Sequence, residues 1–418
     1  MIPTKLRSAA LYAVAACFFV LFSSCSSDSS SGEKHLRFWH FWSEPSQKQA
    51  LQQLIQVFEK QNGCKVDCTE LSWGDGKTKL IAAFSSHTAP DVMEFGSDWV
   101  AQFSSSGVLA DMNSIQPVRM EGFAPWTTAP SYWQGKVYSL PWVVDTRVLY
   151  VNKQLLEKIG GSTEPSTWMD VLSSAEKVGG SEDDHGFGAN GADGHRLYKK
   201  ILPFFWSYGG DVLDKNGAPV LNSAANIEAL SMYVQLSRAG LIETQKQLDG
   251  QFAQGHVAYW NSGGWLADKI GKENPLLDYT VMPLPSAKPG MPGISFAGGE
   301  YLAVSEASEQ KKLALALITF LTDAKNALAF CKQVTEAGFP AATEGFHDSY
   351  FASHPIRHVF AAQLQHARMT PVHPRWLEME TVIENAVVEA LYGRKEPAAA
   401  LAEAQGELLR LSAVSAAK

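Results

Sequence analysis

The chain contains 418 residues, of which 43 are acidic and 35 basic, so its formal net charge is −8 at pH 7. This length exceeds what a single hydrophobic core usually supports, and we therefore expect two lobes. The acidic balance argues against nucleic acid or an anionic membrane surface as the main partner.

The N-terminus has the pattern of an export signal. Lys5 and Arg7 precede an apolar run over residues 9–22, which has the length of a secretory signal core and is too short for a stable membrane span. Two serines then precede Cys25, and small residues before a cysteine resemble a lipoprotein cleavage site. The sequence predicts a signal peptide over residues 1–24 and lipidation of Cys25. Phe22 occupies the position that leucine usually takes, so ordinary signal cleavage stays open as the alternative.

A polar tether follows the predicted cleavage site. Residues 25–34 are rich in serine and fit a flexible link between a membrane anchor and a folded body. Removal of the signal takes away two basic residues and no acidic one, which moves the formal charge from −8 to −10. We expect Cys64, Cys68 and Cys331 to be buried thiols, with one disulfide to Cys331 as the alternative.

The first part of the folded chain alternates strands and helices. We predict, in chain order, strand 35–42, helix 46–61, strand 64–71, helix 77–86, strand 89–95 and helix 98–105. This βαβαβ alternation is typical of a parallel sheet covered by helices. Ligands bind beyond the carboxyl ends of such strands, where Trp42, Glu44 and Asp98 lie.

The segment 135–152, GKVYSLPWVVDTRVLYVN, is central to the interpretation. Its β-branched and aromatic residues favour extended backbone on both sides of Pro141 and Trp142. Proline cannot donate a hydrogen bond to a sheet ladder, so it belongs at a sheet edge or at a crossing point. We interpret the segment as a chain that passes between two lobes and carries Trp142, Asp145 and Arg147 past a cleft.

After residue 152 the alternation starts again. Thr167 caps a helix, with Asp170 as its reciprocal partner. Residues 298–305 return to the first lobe, and we also predict helices 153–159, 197–208, 224–239, 245–254, 265–270 and 309–322, strands 186–189 and 256–260, and helical stretches 348–368 and 381–411. Each lobe is thus built from discontinuous pieces with few connections, which permits hinge closure.

Tryptophans and carboxylates supply the candidate binding residues. The chain has 12 tryptophans, and several lie at predicted strand ends or turns, where an indole face matches the apolar face of a sugar ring. Carboxylates match the polar rim of such a ring. Core packing is the competing explanation for each tryptophan, and an exposed or ion-paired group for each acid. The candidates are Trp42, Glu44, Trp73, Asp98, Trp142, Asp145, Trp206, Trp260, Trp265, Glu300 and Trp376.

The sequence contains no catalytic or cofactor motif in the structural context that such a motif requires. Residues 186–191 match the dinucleotide fingerprint GxGxxG as text, but an acidic stretch precedes them and Asp193-Gly194 follows where a helix should begin. The sequence contains no Walker A, HExxH or GxSxG pattern and no zinc-type cysteine spacing. We therefore expect no catalytic residue, no cofactor and no metal.

Several short motifs, in a constant order, are similar to those of family 1 extracellular solute-binding proteins, the sugar-binding components of ABC importers. The crossing segment 135–152 closely resembles the signature of that family. The other resembling stretches are APDVM at 89–93, PSTWMDVLSSAEKV at 165–178, FAQGHVAYWNSGGW at 252–265, GGEYLAVS at 298–305 and FPA at 339–341. Each motif alone is weak, whereas the ordered set is specific to the family and not to a ligand.

The resemblance implies a two-lobed α/β fold, each lobe a mainly parallel sheet flanked by helices. We expect lobe 1 over residues 35–143 plus 299–345 and lobe 2 over residues 144–298 plus 346–418. The expected function is capture of a mono- or oligosaccharide between the lobes and delivery to the permease subunits of an ABC transporter. The protein is expected to be an exported, lipid-anchored monomer that binds no nucleic acid.

Two other functions stay open at this point. A polyamine would suit the acids and indoles through cation–π contact, and a glycerol-phosphate-type solute would need more cations than the cleft offers. A secreted glycoside hydrolase would also use an aromatic cleft with carboxylates, but it requires a facing acid pair. The sequence shows no such motif.

Overall fold

The computed structural model describes residues 34–178 and 183–416. The predicted signal peptide, Cys25 and nearly all of the tether lie outside the described residues. Cys64 and Cys331 are buried as expected, whereas Cys68 is exposed, which corrects the expectation for that residue. Cys68 lies near the carboxyl end of an edge strand, whose last four residues are all exposed.

The strands agree with most of the predicted positions. They are β1 (Lys34–His40), β2 (Cys64–Glu70), β3 (Val92–Gly96), β4 (Tyr132–Trp133), β5 (Lys136–Val137), β6 (Ser139–Thr146), β7 (Val148–Asn152), β8 (His185–Asn190), β9 (Leu241–Glu243), β10 (Val257–Ser262), β11 (Tyr279–Met282), β12 (Ser295–Val304), β13 (Phe339–Pro340) and β14 (Ala367–Arg368).

The α-helices of the described residues surround these strands. They are α1 (Pro45–Asn62), α2 (Gly76–Ser85), α3 (Val100–Ser105), α4 (Met112–Ile115), α5 (Pro125–Thr128), α6 (Lys153–Ile159), α7 (Trp168–Ala175), α8 (Tyr198–Ser207), α9 (Ala224–Arg238), α10 (Gln245–Gln254), α11 (Trp265–Glu273), α12 (Lys311–Thr322), α13 (Ala324–Gln333), α14 (Thr343–Phe346), α15 (Ser349–Ala352), α16 (Pro355–Leu364), α17 (Trp376–Leu391) and α18 (Pro397–Ala416).

Two larger sheets form the centres of a two-lobed α/β fold. The first has the order β13-β6-β12-β3-β1-β2, with β14 beside β12, and the second has the order β11-β7-β10-β8-β9. The pairs predicted from the βαβαβ alternation, β1 with β2 and β1 with β3, are parallel. The strands around the crossings add antiparallel pairs, since β12 runs antiparallel to both β3 and β6.

The crossing segment differs in detail from its prediction. β6 runs without a break through Pro141 and Trp142 and ends at Thr146, and β7 begins at Val148. Proline is tolerated inside this sheet because a register shift between β6 and β12 occurs opposite it, at Glu300 and Tyr301. Pro141 therefore lies in a strand that has neighbours on both sides, neither at a sheet edge nor at the crossing, and the chain changes sheets at Arg147.

Local sequence signals explain why these elements form. The predicted capping box of α7 is confirmed, because Thr167 Oγ1 accepts from Asp170 N at 3.2 Å and Asp170 Oδ2 accepts from Thr167 N at 2.9 Å. β7 is buried on both faces: Leu149 and Val151 join one core cluster, while Val148 and Tyr150 join the other. A strand covered on both faces reads as a continuous apolar run.

Across the described residues, no individual helix is long and apolar enough to cross a membrane, and one bent pair, α12 with α13, satisfies only the criteria of length and composition.

Candidate functional site

An exposed indole stands at the carboxyl ends of the first sheet. Trp73, in the loop between β2 and α2, is 43% exposed. Its ring stacks on Phe41 with centroids 4.1 Å apart, and it meets the edge of Trp99 at 5.7 Å. Two buried aromatic neighbours fix the ring and leave surface for a ligand.

A buried carboxyl group holds the base of this aromatic stack. Glu94, in the middle of β3, is fully buried, and its Oε2 accepts a hydrogen bond from Phe41 N at 3.0 Å. Burial raises the pKa of Glu94 to about 8. The backbone that carries Phe41 is thereby tied to β3, although Glu94 Oε1 has no hydrogen-bond partner among the described residues.

A hydrogen bond next to Trp73 joins the two lobes. Tyr198, the first residue of α8, donates from its hydroxyl to Asp98 Oδ2 at 3.2 Å. Burial raises the pKa of Tyr198 well above its usual value, and the charge of Asp98 adds to the effect. Gly96 leaves room for the carboxylate, since a Cβ there would lie 2.6 Å from Asp98 Oδ1. Polar groups from both lobes thus meet beside an exposed aromatic ring.

Two carboxylates of α17 stand behind Tyr198. Glu384 accepts from the backbone N–H groups of His195 at 2.9 Å and Tyr198 at 3.1 Å, which satisfies donors at the start of α8. Glu380 Oε1 lies 2.5 Å from His195 Nδ1. Burial raises the pKa of Glu380 to about 7, while the hydrogen bond to His195 opposes this rise. Lys77 of α2, whose pKa burial lowers, adds a positive charge near Glu380 and Asp98.

Charged side chains also lie along β6 and β12 and at the point where the chain passes from β6 to β7. Arg147 Nη1 lies 2.5 Å from Asp145 Oδ2 and donates to it. The pKa of Glu300 lies well above its usual value because of burial, and Asp145 and Glu94 raise it further, while Lys199 and Arg147 oppose them. These acids and bases form one mixed-charge cluster at the change of sheet.

Trp265 belongs to the same region and is partly exposed. The Arg147 guanidinium lies 4.6 Å from the centroid of the Trp265 ring, which is within cation–π distance. Nε1 of Trp265 donates to Asp249 Oδ2 at 2.9 Å. Gly263 leaves room for the indole, because a Cβ there would lie 2.1 Å from the six-membered ring of Trp265 unless the ring shifted.

A cavity of about 280 Å³ lies beside the crossing strand and draws its walls from both lobes. Its lining includes Asp145, Gly264 and Asp268, together with Thr335 and Phe339 of the segment that forms β13. The Thr335 hydroxyl donates to the Asp268 carboxylate, so the two lobes also touch here.

The structure brings five of the predicted site residues to these inter-lobe surfaces. They are Trp73, Asp98, Asp145, Trp265 and Glu300. A Cβ at Gly299, the residue before Glu300, would lie 2.5 Å from Val143 O. The close approach of β6 to β12 therefore explains that glycine.

Other predicted residues pack into the protein. Trp142 is fully buried and stacks on Phe330 at 4.8 Å, and Trp42, 7% exposed, meets Phe330 edge-on at 5.0 Å. Trp376 is 1% exposed and contacts Tyr198 edge-on. Core packing, the competing explanation, accounts for these three indoles in this conformation. We leave them out of the proposed site.

The remaining candidates have local structural partners. Trp260 is 1% exposed and donates to Asp249 Oδ1 at 2.7 Å. Trp206 donates to Asp211 Oδ1 at 3.1 Å and lies under the Arg368 guanidinium. Glu44 is exposed and precedes α1, where its backbone N–H donates to Gln47 Oε1. Trp260 is linked to Trp265 through Asp249, whereas the hydrogen bonds of Trp206 and Glu44 within the described residues reach neither Trp73 nor Arg147.

Sequence reasoning missed several cleft residues, because their partners are distant in the chain. Tyr198, His195, Glu380 and Glu384 come together only when α8 packs against α17. One local signal was available: Glu380 and Glu384 are four residues apart and so share a helix face. Across residues 34–178 and 183–416, no group of three or more histidine, cysteine or acidic side chains could hold a metal ion.

Comparison with known families agrees with this architecture. Residues 42–328 match the family described as bacterial extracellular solute-binding protein. This match covers more than half of the chain, and the chain therefore belongs to that family.

Several named relatives and solved structures are similar to this chain over most of their own length. A binding protein of Brucella abortus is 26% identical over 84% of this chain and 87% of its own. The maltodextrin-binding protein MdxE of Bacillus subtilis is 26% identical over 84% of each chain. The GacH receptor of Streptomyces glaucescens, solved unliganded and with acarbose, has a TM-score of 0.80 at 23% identity, covering 90% of this chain and 99% of its own.

Proposed function

We propose that this solute-binding protein captures a carbohydrate between its lobes and delivers it to the permease of an ABC transporter. The exposed indole of Trp73, beside the Asp98–Tyr198 hydrogen bond that joins the lobes, is the observation that carries the proposal. An aromatic face next to hydroxyl and carboxylate groups matches the two kinds of surface on a sugar ring.

The charges of the cleft favour a neutral ligand. Asp145 and Glu300 lie among Arg147 and Lys199, and Lys77 lies near the acids of α17. These three cations would repel a polyamine, while the acids would repel a phosphate. A ligand rich in hydroxyl groups can donate to the acids and accept from the bases, so it suits both signs.

The two sheets support lobes close to the predicted ones. Strands β1 to β3, β6, β12 and β13 would belong to lobe 1 and strands β7 to β11 to lobe 2. Because β6 extends to Thr146, we place the first boundary at Arg147, three residues after the predicted one. Closure about the connecting segments would bury the ligand, and the closed state would gain the contacts that determine affinity.

The names of relatives support the transport role. One relative is the maltooligosaccharide ABC transporter solute-binding lipoprotein of Streptococcus pneumoniae, 22% identical over 94% of each chain. By analogy, Cys25 would carry lipid and hold the protein at the outer face of a membrane, next to its permease. No bond of the sugar would be cleaved, because capture and release need no covalent chemistry.

A thermal-shift screen tests the proposal. The mature protein is mixed with maltotriose, maltohexaose, N,N′-diacetylchitobiose and spermidine, and a bound ligand raises the melting temperature. We expect a shift with an oligosaccharide, a smaller shift in Trp73→Ala and an unchanged one in Trp133→Ala, a control on the separate β4–β5 hairpin. A shift with spermidine alone would contradict the proposal.

A further inference from the structure

Asp249, in the middle of α10, collects four side-chain donors in a buried position. It is 6% exposed. Its Oδ1 accepts from Trp260 Nε1 at 2.7 Å, Ser262 Oγ at 2.8 Å and Gln245 Nε2 at 2.9 Å. Its Oδ2 accepts from Trp265 Nε1 at 2.9 Å. A carboxylate can accept about four hydrogen bonds, so this one is fully used by its side-chain neighbours.

These four bonds divide into two groups with different effects. The three donors to Oδ1 lie on α10 and β10, and all three side chains are buried. The single donor to Oδ2 comes from Trp265, which begins α11 and is partly exposed at the crossing. Asp249 therefore links a rigid buried unit to an indole of the proposed site.

Besides this hydrogen bond, the Trp265 ring packs against the buried core cluster that contains Trp260 and Leu266, and it has further contacts that are not hydrogen bonds. One contact is Gly263, which allows close approach but donates nothing to the ring, and another is the Arg147 guanidinium 4.6 Å from the ring centroid. Arg147 is also bonded to Asp145. The hydrogen bond to Nε1 adds a directional constraint on the rotation about the side-chain bonds, which apolar packing and cation–π contact do not supply.

We infer that Asp249 is a positioning residue that sets the orientation of the Trp265 indole for ligand binding. This inference rests on the proposed function, because it assumes that the ligand contacts Trp265. Asp249 itself touches no ligand and acts through the indole it holds.

Asp249→Asn is a selective test, because an amide has one acceptor oxygen. The three donors on one side attract that oxygen, so the amide nitrogen would face the Trp265 N–H group. Two donors then oppose each other, and the Trp265 bond is lost while the others are kept. Trp265→Phe removes the same bond from the other side. Asp170→Asn is the matched control, since its carboxylate accepts from Ser166 and Thr167 rather than from an indole.

The first measurement is the indole N–H spectrum of the full mature protein by nitrogen–proton correlation NMR. The Trp265 resonance is identified by its loss in Trp265→Phe. We expect Asp249→Asn to move this resonance upfield and to speed its exchange with water, and Asp170→Asn to leave it in place. An unmoved Trp265 resonance in folded Asp249→Asn would overturn the inference, whether or not a sugar binds.

The second measurement is calorimetric affinity for the oligosaccharide that gives the largest thermal shift. We expect Asp249→Asn and Trp265→Phe each to weaken binding by about tenfold. The affinity of the double variant should lie within about twofold of that of either single variant. Additive losses, or full affinity in Asp249→Asn while Trp265→Phe is weak, would overturn the inference and leave the proposed function intact. Absence of sugar binding in the unaltered protein would instead refute the proposed function, and the NMR result would still decide the role of Asp249.

Discussion

The replacement Glu94→Gln should remove a large pH dependence from the stability of the protein. Glu94 is fully buried, and its pKa rises from the usual 4.5 to about 8 because burial penalises the charged form. Between these two pH values the folded state keeps a proton that the unfolded chain releases. The contribution of Glu94 to the stability of the folded state is therefore fully present below about pH 4.5 and falls as the pH rises towards 8.

The size of the effect follows from the two pKa values. Each pH unit in this window costs about 1.4 kcal/mol, so Glu94 alone should cost the unaltered protein about 4 kcal/mol between pH 5 and pH 9. Glutamine has nearly the same shape as the neutral acid, can still accept from Phe41 N and cannot ionise. The free energy of unfolding of Glu94→Gln, relative to that of the unaltered protein, should therefore be about 4 kcal/mol higher at pH 9 than at pH 5.

Urea unfolding at pH 5, 7 and 9, followed by circular dichroism, measures this difference directly. Glu300 and Glu380 also have raised pKa values, but both proteins contain them, so the comparison isolates most of the Glu94 contribution. Glu389→Gln is the control, because Glu389 forms a surface ion pair with Arg394 and such pairs contribute about 0–1 kcal/mol. A stability difference between Glu94→Gln and the unaltered protein that stays constant with pH would refute the reasoning.

Three further predictions concern the inter-lobe surfaces. Trp73→Ala should weaken oligosaccharide binding by about tenfold or more in calorimetry, and it should also lower the melting temperature because only 43% of the indole is exposed and the rest packs on Phe41 and Trp99; unchanged affinity would remove Trp73 from the site. Gly263→Ala should lower both melting temperature and affinity, because its Cβ would lie 2.1 Å from the Trp265 ring; an unaffected protein would show that the ring moves freely. Tyr198→Phe removes the donor to Asp98, a contribution of about 1 kcal/mol, and should increase the radius of gyration of the ligand-free protein in X-ray scattering; an unchanged radius would mean that this bond does not hold the lobes together.

The sequence was sufficient to predict the elements that depend on local features of the chain. The order of strands and helices, the Thr167 cap and the crossing near residues 135–152 depend on periodicity, capping residues and β propensity, which short stretches contain. Pro141 was expected at a sheet edge or at a crossing point, because proline cannot donate a hydrogen bond to a sheet ladder. The register shift of β12 against β6, which allows the strand to continue to Thr146, is a long-range property and left no local sign.

The site was harder to predict because burial depends on distant partners. Trp42 and Trp73 both follow strands, yet Phe330 of α13 covers Trp42 while Trp73 stays exposed above Phe41. Tyr198 and Glu384 are 186 residues apart and meet only through the packing of α8 on α17. Chemistry and position along a strand identified Asp98, Asp145 and Trp265 as candidates, but they could not show which indoles the core would absorb.

Calorimetric titration of the mature protein with oligosaccharides, followed by chromatography of the recovered sugar, is the most direct measurement. The account predicts saturable binding of one sugar per chain and recovery of that sugar uncleaved. No heat of binding with any oligosaccharide, or recovery of shortened products, would contradict it.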